Sequence, residues 1–327
     1  MKYKRHDAKD YARAHMKGIW AAALTPFAPN LAIDEAGFAR NLKHWVEDLT
    51  IDGVFVCGKQ GEFFSMSLAE RKRTFEIAVD AIGSRAGTIM SCSDQNMDVV
   101  IDLAKHAQAI GADYIVVHAP VLHFLNAQDD TLYDYYRTIG EQVDIGIALW
   151  SHPDSGYLLS PELCARIAEI PNVVAIKYSV PREMYVRLTR MAGDRIIVST
   201  ASEEEWFDNI VELGWQLYLC STPTYLLQTA SDKRMREYTD LAMRGEVERA
   251  RAVRDSLDPV RAAIRHTRPA EKPQAHSKYW QELLGQAGGP VRKPLLQLSE
   301  AEKAATRTAF AACGLKIGAA PARSSAA

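Results

Sequence analysis

Short, strongly apolar runs recur along the chain, and between most of them lie longer stretches whose apolar residues return every three or four positions. The runs fall at residues 19–24, 53–57, 88–92, 113–118, 145–150, 173–177, 195–199 and 216–220. Such runs, set between helical stretches, read as strands buried on both faces of a parallel sheet. The intervening stretches read as helices. Asp34 caps one that carries Phe38, Leu42, Trp45 and Leu49 on a single face. Residues 99–110 are amphipathic, and residues 160–170 hold helical spacing until Pro171-Asn172 breaks it. Eight strand–helix units in about 200 residues, without a long interruption, predict an α/β chain folded as a (β/α)8 TIM barrel. A doubly wound sheet is the second choice. It would want a glycine-rich phosphate loop after an early strand, and Gly58-Lys59-Gln60-Gly61 lacks that pattern.

After the eighth run the chain stays largely helical over residues 225–313, too long for one barrel helix. Breaks at Pro269, Pro273 and Gly288-Gly289-Pro290 divide it. The resulting organisation is an N-terminal extension (1–17), a barrel (18–244), a C-terminal helical cap (245–315) and a tail (316–327). Residues 318–327 are mostly small, have no apolar face to bury, and are expected to be disordered. A chain of 327 residues with 47% hydrophobic and 24% charged side chains has ample core for one large domain. The net charge of −2, with no basic run interleaved with aromatics, argues against a nucleic-acid partner. The five cysteines are scattered, without a CxxC pair, which suggests small core residues in a reducing compartment and no zinc site. Residues 1–17 are charged and lack the apolar segment of a secretory signal, and no run could cross a bilayer. A cytoplasmic protein without a membrane partner is expected.

A barrel of this kind gathers its chemistry at the carboxyl ends of its strands. Those ends supply Thr25, the loop from Gly58 to Glu62, His118, Trp150 to His152, Lys177, Ser199-Thr200 and Cys220-Ser221-Thr222. Lys177 stands out because four apolar residues, three of them β-branched, run straight into it. Apolar surroundings disfavour an ammonium, so its pKa should fall and leave a nucleophilic amine. The plainer reading is a lysine that leaves the barrel mouth for solvent. A strand-end lysine beside a loop with free N–H groups, two histidines and several hydroxyls suits a carbonyl substrate bearing a carboxylate. The amine forms an imine and the loop holds the anion.

The order of these pieces resembles the dihydrodipicolinate synthase and N-acetylneuraminate lyase family of class I aldolases and lyases. The resemblance rests on Leu24-Thr25-Pro26-Phe27, on Gly58-Lys59-Gln60-Gly61-Glu62 with Leu68-Ala69-Glu70-Arg71, and on Ile176-Lys177. Lys278-Tyr279-Trp280 and the run from Gly288 to Leu295 extend it, so that it covers residues 18–315. It implies that Lys177 is the Schiff-base lysine, that no metal or organic cofactor is used, and that the chain forms a homotetramer, a dimer of dimers. The departures are equally informative. The family's Gly-Thr-Thr-Gly-Glu loop carries Lys59 and Gln60 at its threonine positions. Its proton-handling tyrosine aligns with Trp150, and an arginine-bearing loop becomes Asp154-Ser155-Gly156. A glycine after strand seven becomes Thr200, and the paired aromatic segment after strand four reads Ala119-Pro120-Val121-Leu122-His123. An indole cannot exchange protons as a phenol does, so dihydrodipicolinate synthesis itself is not expected.

The sequence therefore predicts a Schiff-base lyase or aldolase for a 2-oxo acid, pyruvate-forming or of the hydratase-aldolase type. A dehydratase or deaminase working through the same imine, and a barrel that binds a 2-oxo acid without turnover, are the alternatives. Lys177 is assigned as nucleophile and His152 as the replacement proton carrier, with His118 as its rival. Thr25, Gly58, Lys59, Gln60, Trp150, Ser199, Thr200 and Leu219 are assigned to substrate, Gln60 through its backbone N–H. Lys59 contacts the carboxylate or remains a solvated loop lysine. Trp150, Phe63 and Leu219 form an apolar wall that would admit a larger or aromatic substrate. Glu62 braces its loop. A metal site built from His118, His123 and His152 has no supporting carboxylate spacing and is set aside.

Overall fold

The computed structural model describes residues 2–122, 128–200, 202–220 and 223–317. His123, Ala201, Ser221, Thr222 and the tail from residue 318 lie outside the described residues, and with them the readings placed there. Eight strands form one parallel sheet: β1 (Gly18–Ala22), β2 (Gly53–Val56), β3 (Gly87–Ser91), β4 (Tyr114–His118), β5 (Gly146–Ser151), β6 (Val173–Tyr178), β7 (Ile197–Ser199) and β8 (Leu217–Leu219). The order β7-β6-β5-β4-β3-β2-β1-β8 carries the sheet almost into a closed barrel. At the seam the Leu219 N–H donates to Ser199 Oγ at 2.8 Å, so a side chain bridges β7 and β8.

A short helix, α1 (Ala8–His15), precedes the barrel. The barrel strands are followed in turn by α2 (Glu35–Glu47), α3 (Leu68–Ile82), α4 (Met97–Ala109), α5 (Asp129–Gln142), α6 (Pro161–Ile167), α7 (Arg182–Ala192), α8 (Trp206–Leu213) and α9 (Arg234–Met243). Then come α10 (Val247–Asp255), α11 (Asp258–Thr267), α12 (Pro273–Leu283) and α13 (Glu300–Ala312), the C-terminal helical part. Local chemistry sets the helix starts. Asp34 accepts the Gly37 N–H at 2.8 Å ahead of α2, and Ser67 with Glu70 forms a capping box on α3.

The stretch before the barrel is more than an extension. Ala8, Ala12 and Met16 are fully buried in the same core as the strands, and α1 packs on β5 and β6. The Tyr3 hydroxyl reaches the Asp113 carbonyl and accepts the Gly146 N–H at 2.8 Å. Its apolar face escaped the sequence reading because it consists of small residues between charges. Inside, Trp20 fills the space that glycines leave open: a Cβ on Gly53 or Gly87 would lie 2.1 or 2.4 Å from its ring. The amino end of the barrel is thus packed with protein, which leaves the carboxyl end for chemistry.

Candidate active site

Lys177 is the penultimate residue of β6, in register with Trp150 of β5 and Ser199 of β7, while Trp150 is in register with His118 of β4. Partners in parallel register share a face, so these four residues make one row across the carboxyl end of the barrel. Lys177 is 2% exposed. Its Nζ donates to the Cys220 carbonyl at 2.9 Å and lies 4.9 and 5.1 Å from the ring centroids of Phe55 and Trp150. Burial, aided by the charge of Lys59, lowers its pKa from 10.5 to about 8. Near pH 7.5 about a quarter of such amines are uncharged, against about one in a thousand for an ordinary lysine.

A cavity of about 310 Å³ opens onto this amine. Ala22, Phe55 and Trp150 form its apolar side, Lys59, Gln60 and His152 its polar side, and Arg268, Ala270, Pro273 and Gln274 reach it from the C-terminal part. His152 keeps extended geometry (φ −147°, ψ 148°), so strand alternation persists past β5 and sets it on the same side as Trp150. Its Nδ1 accepts the Asp154 N–H at 3.1 Å, which leaves the proton of the neutral ring on Nε2. The Asp154 carboxylate lies 3.2 Å from the same Nδ1 and pairs on its other oxygen with Lys59. Burial lowers the His152 pKa below its ordinary 6.5, with Asp154 pulling the other way and Lys59 and Lys177 adding to the fall. Among the described residues no tyrosine, serine or threonine lines this cavity. His152 and Lys177 are the lining groups whose pKa values burial lowers.

The loop from Gly58 to Glu62 is held from three directions. Thr25 Oγ1 donates to the Gly61 carbonyl at 3.0 Å, and Lys278 of α12 pairs with Glu62 Oε1 at 2.5 Å. The Arg292 N–H donates to Glu62 Oε2 at 2.9 Å. Glu62 and Cys57 both sit at positive φ, 60° and 57°, a strain that such bracing maintains. Among the described residues the N–H groups of Lys59, Gln60 and Gly61 donate to no acceptor.

Of the residues assigned from sequence, Lys177, His152, Lys59, Gln60 and Trp150 come together on one cavity. Thr25, Gly58, Ser199, Thr200 and Leu219 are not among its lining residues. Thr25 braces the loop, Ser199 bridges the seam, and Thr200 Oγ1 reaches Glu205 at 3.4 Å. Leu219 is buried in β8 beside Trp20, and Phe55 stands in the wall where Phe63 and Leu219 were expected. Phe63 lines a separate cavity of about 370 Å³ with Arg71, Asp94 and His118. Burial holds the His118 pKa at about 4. No group of three or more His, Cys, Asp or Glu among the described residues could hold a metal ion. Sequence reasoning missed Arg268, Ala270 and Gln274, because a search of strand ends cannot reach residues carried in by C-terminal helices.

The family model described as the dihydrodipicolinate synthetase family matches residues 15–312. The chain is 28% identical over 294 residues to a 4-hydroxy-tetrahydrodipicolinate synthase of Methanothrix thermoacetophila, covering 89% of this chain and 95% of that protein. It is 29% identical over 291 residues to the enzyme of that name from Syntrophus aciditrophicus, covering 88% and 94%. Among solved structures it superposes with a prophage protein of the dihydrodipicolinic acid synthase family from E. coli K12 in complex with pyruvate. The TM-score is 0.81 at 22% identity, over 92% of this chain and 99% of that one. A structure of CdNal from Clostridium difficile in complex with mannosamine matches at 0.80 and 22%, over 91% and 99%. No helix among the described residues is long and apolar enough to cross a membrane.

Proposed function

The chain belongs to the dihydrodipicolinate synthetase family, and from that premise we propose that it is a class I lyase or aldolase that binds a 2-oxo acid as an imine on Lys177. Family membership supports the aldolase or lyase class. The observation that carries the specific reading is the buried, strand-end amine of Lys177, with its lowered pKa, facing a cavity. The uncharged Nζ attacks the keto carbon, protons pass to the carbinolamine oxygen, and water leaves to give a protonated imine. In carbon–carbon cleavage the C3–C4 bond breaks and its electron pair flows into the imine to give an enamine, while the C4 hydroxyl gives up its proton and the C4 fragment leaves as a carbonyl compound. Protonation at C3 and hydrolysis return the amine and release a 2-oxo acid.

His152 is assigned the proton transfers that the missing phenol would perform. In its neutral form it receives the Asp154 N–H at Nδ1, and as an imidazolium it can give its Nδ1 proton to the Asp154 carboxylate beside it. The segment thus supports both protonation states at one position. The curated relatives are named as 4-hydroxy-tetrahydrodipicolinate synthases, but Lys59, Gln60 and Trp150 stand where that reaction's relay would be. We therefore assign a different 2-oxo acid reaction, carbon–carbon cleavage or hydratase-aldolase chemistry, in a cytoplasmic homo-oligomer. A loss of water or ammonia from the substrate would use the same imine.

Borohydride reduction with a panel of 2-oxo acids, pyruvate first, tests the assignment by intact mass. One pyruvate-derived increment in the native protein, absent from Lys177→Ala, is expected. Labelling that persists in Lys177→Ala would overturn it.

A further inference from the structure

The lining of the cavity mixes two kinds of cation. Lys177 is buried, whereas Arg268, from the segment between α11 and α12, is exposed and also borders a neighbouring cavity with Glu203 and Glu204. The neighbouring arginines are already engaged, Arg261 with Glu203 and Arg265 with Glu204, and Lys59 is paired with Asp154. Arg268 makes no ion pair or hydrogen bond among the described residues. No acidic side chain among those residues lines the cavity. Two lining residues also carry unmet polar atoms: Nε1 of Trp150, a residue 4% exposed, and the buried Oε1 of Gln60. Buried polar groups of this kind are partnered by protein, water or a ligand, and these two stand on the wall of the cavity.

Building on the imine reading, we infer that Arg268 binds a second anionic group at the end of the substrate remote from the keto carbon. The favoured substrate is then a 2-oxo acid with a further carboxylate. Its own carboxylate lies at the free N–H groups of the loop from Lys59 to Gly61, and the spacer passes the apolar side formed by Phe55 and Trp150. The backbone at Arg268 is well held. Thr267 Oγ1 and His276 Nε2 lie 2.8 Å apart, and the Lys272 N–H donates to the Pro269 carbonyl at 3.1 Å. A side chain carried on a fixed backbone segment loses less freedom on binding a carboxylate than one on a swinging loop would.

Calorimetry with 2-oxoadipate and its uncharged-tail counterpart 2-oxohexanoate tests this on the full chain. The native protein should prefer the dicarboxylate by roughly ten- to a hundredfold, the yield of one charge-assisted contact. Arg268→Ala should bring the two affinities together, and Arg268→Lys should keep part of the preference. No preference in the native protein, or a preference that survives Arg268→Ala, overturns the inference. Loss of preference in Lys59→Ala but not in Arg268→Ala does so too, and moves the second anion to Lys59. Failure of the imine reading would appear separately, as absent borohydride labelling, and the calorimetric comparison would still decide the role of Arg268.

Discussion

Lys177 is held in the fold at a cost that the proposed imine chemistry would require. A base whose folded pKa is depressed destabilises the protein fully below that pKa, and the cost fades as pH rises towards the unfolded value. For Lys177 the drop from 10.5 to about 8 corresponds to about 3 kcal/mol at neutral pH. Lys177→Met removes that cost and also the hydrogen bond to the Cys220 carbonyl, worth about 1 kcal/mol. Denaturant unfolding should therefore show a net gain of about 2 kcal/mol at neutral pH, shrinking as pH rises through the window from about 8 to 10.5. A variant less stable than the native protein at neutral pH would argue against a strained amine. His152 can be read without knowing the final substrate, because an enamine exchanges the methyl protons of pyruvate with deuterated water. His152→Phe should slow that exchange by about a hundredfold with little change in half-saturation. The acidic limb of the native profile should lie below 6.5, since burial lowers this imidazole, and the variant should lack it. The placement of both residues was legible in sequence: Lys177 closes an apolar run, and His152 follows by alternation from Trp150. The tautomer of His152 was not, since it depends on one backbone N–H.

At the scale of elements, the strand–helix alternation was legible because each strand is apolar on both faces and each helix on one. The structured α1 and the path of α11 to α12 were not, because small residues and proline breaks fix where a helix ends but not where it docks. The loop from Gly58 to Glu62 and α12 meet through Glu62 and Lys278, buried to 0% and 1% exposure of their side chains. Burial lowers the Lys278 pKa to about 8 against the pull of Glu62. Removing one partner leaves a buried charge unmatched, so Glu62→Gln should cost about 3–5 kcal/mol. The pair Glu62→Gln with Lys278→Met should recover much of that loss while the loop stays less ordered than in the native protein. Equal stability of the single and double variants would show that the two side chains are not coupled.

The whole molecule divides its labour along the barrel axis. Residues from α1 and Trp20 fill the amino end, whereas the carboxyl end stays open between the Gly58–Glu62 loop, His152 and the segment before α12. This division explains which parts of the site could be read early. Residues at strand ends follow from the barrel alone, so the row through Lys177 was accessible to sequence reasoning. Arg268 and Gln274 enter from elements distant in sequence, and only packing brings them to the cavity. The central claim is that this packing turns Lys177 into a neutral nucleophile near physiological pH. The direct measurement is the rate of labelling by pyruvate and cyanoborohydride from roughly pH 6 to roughly pH 10, with the modified residue identified by peptide mass. The account predicts label on Lys177 and a rate that rises through a midpoint at about 8. A midpoint near 10.5, the value of an ordinary lysine, or label on any other lysine would contradict it.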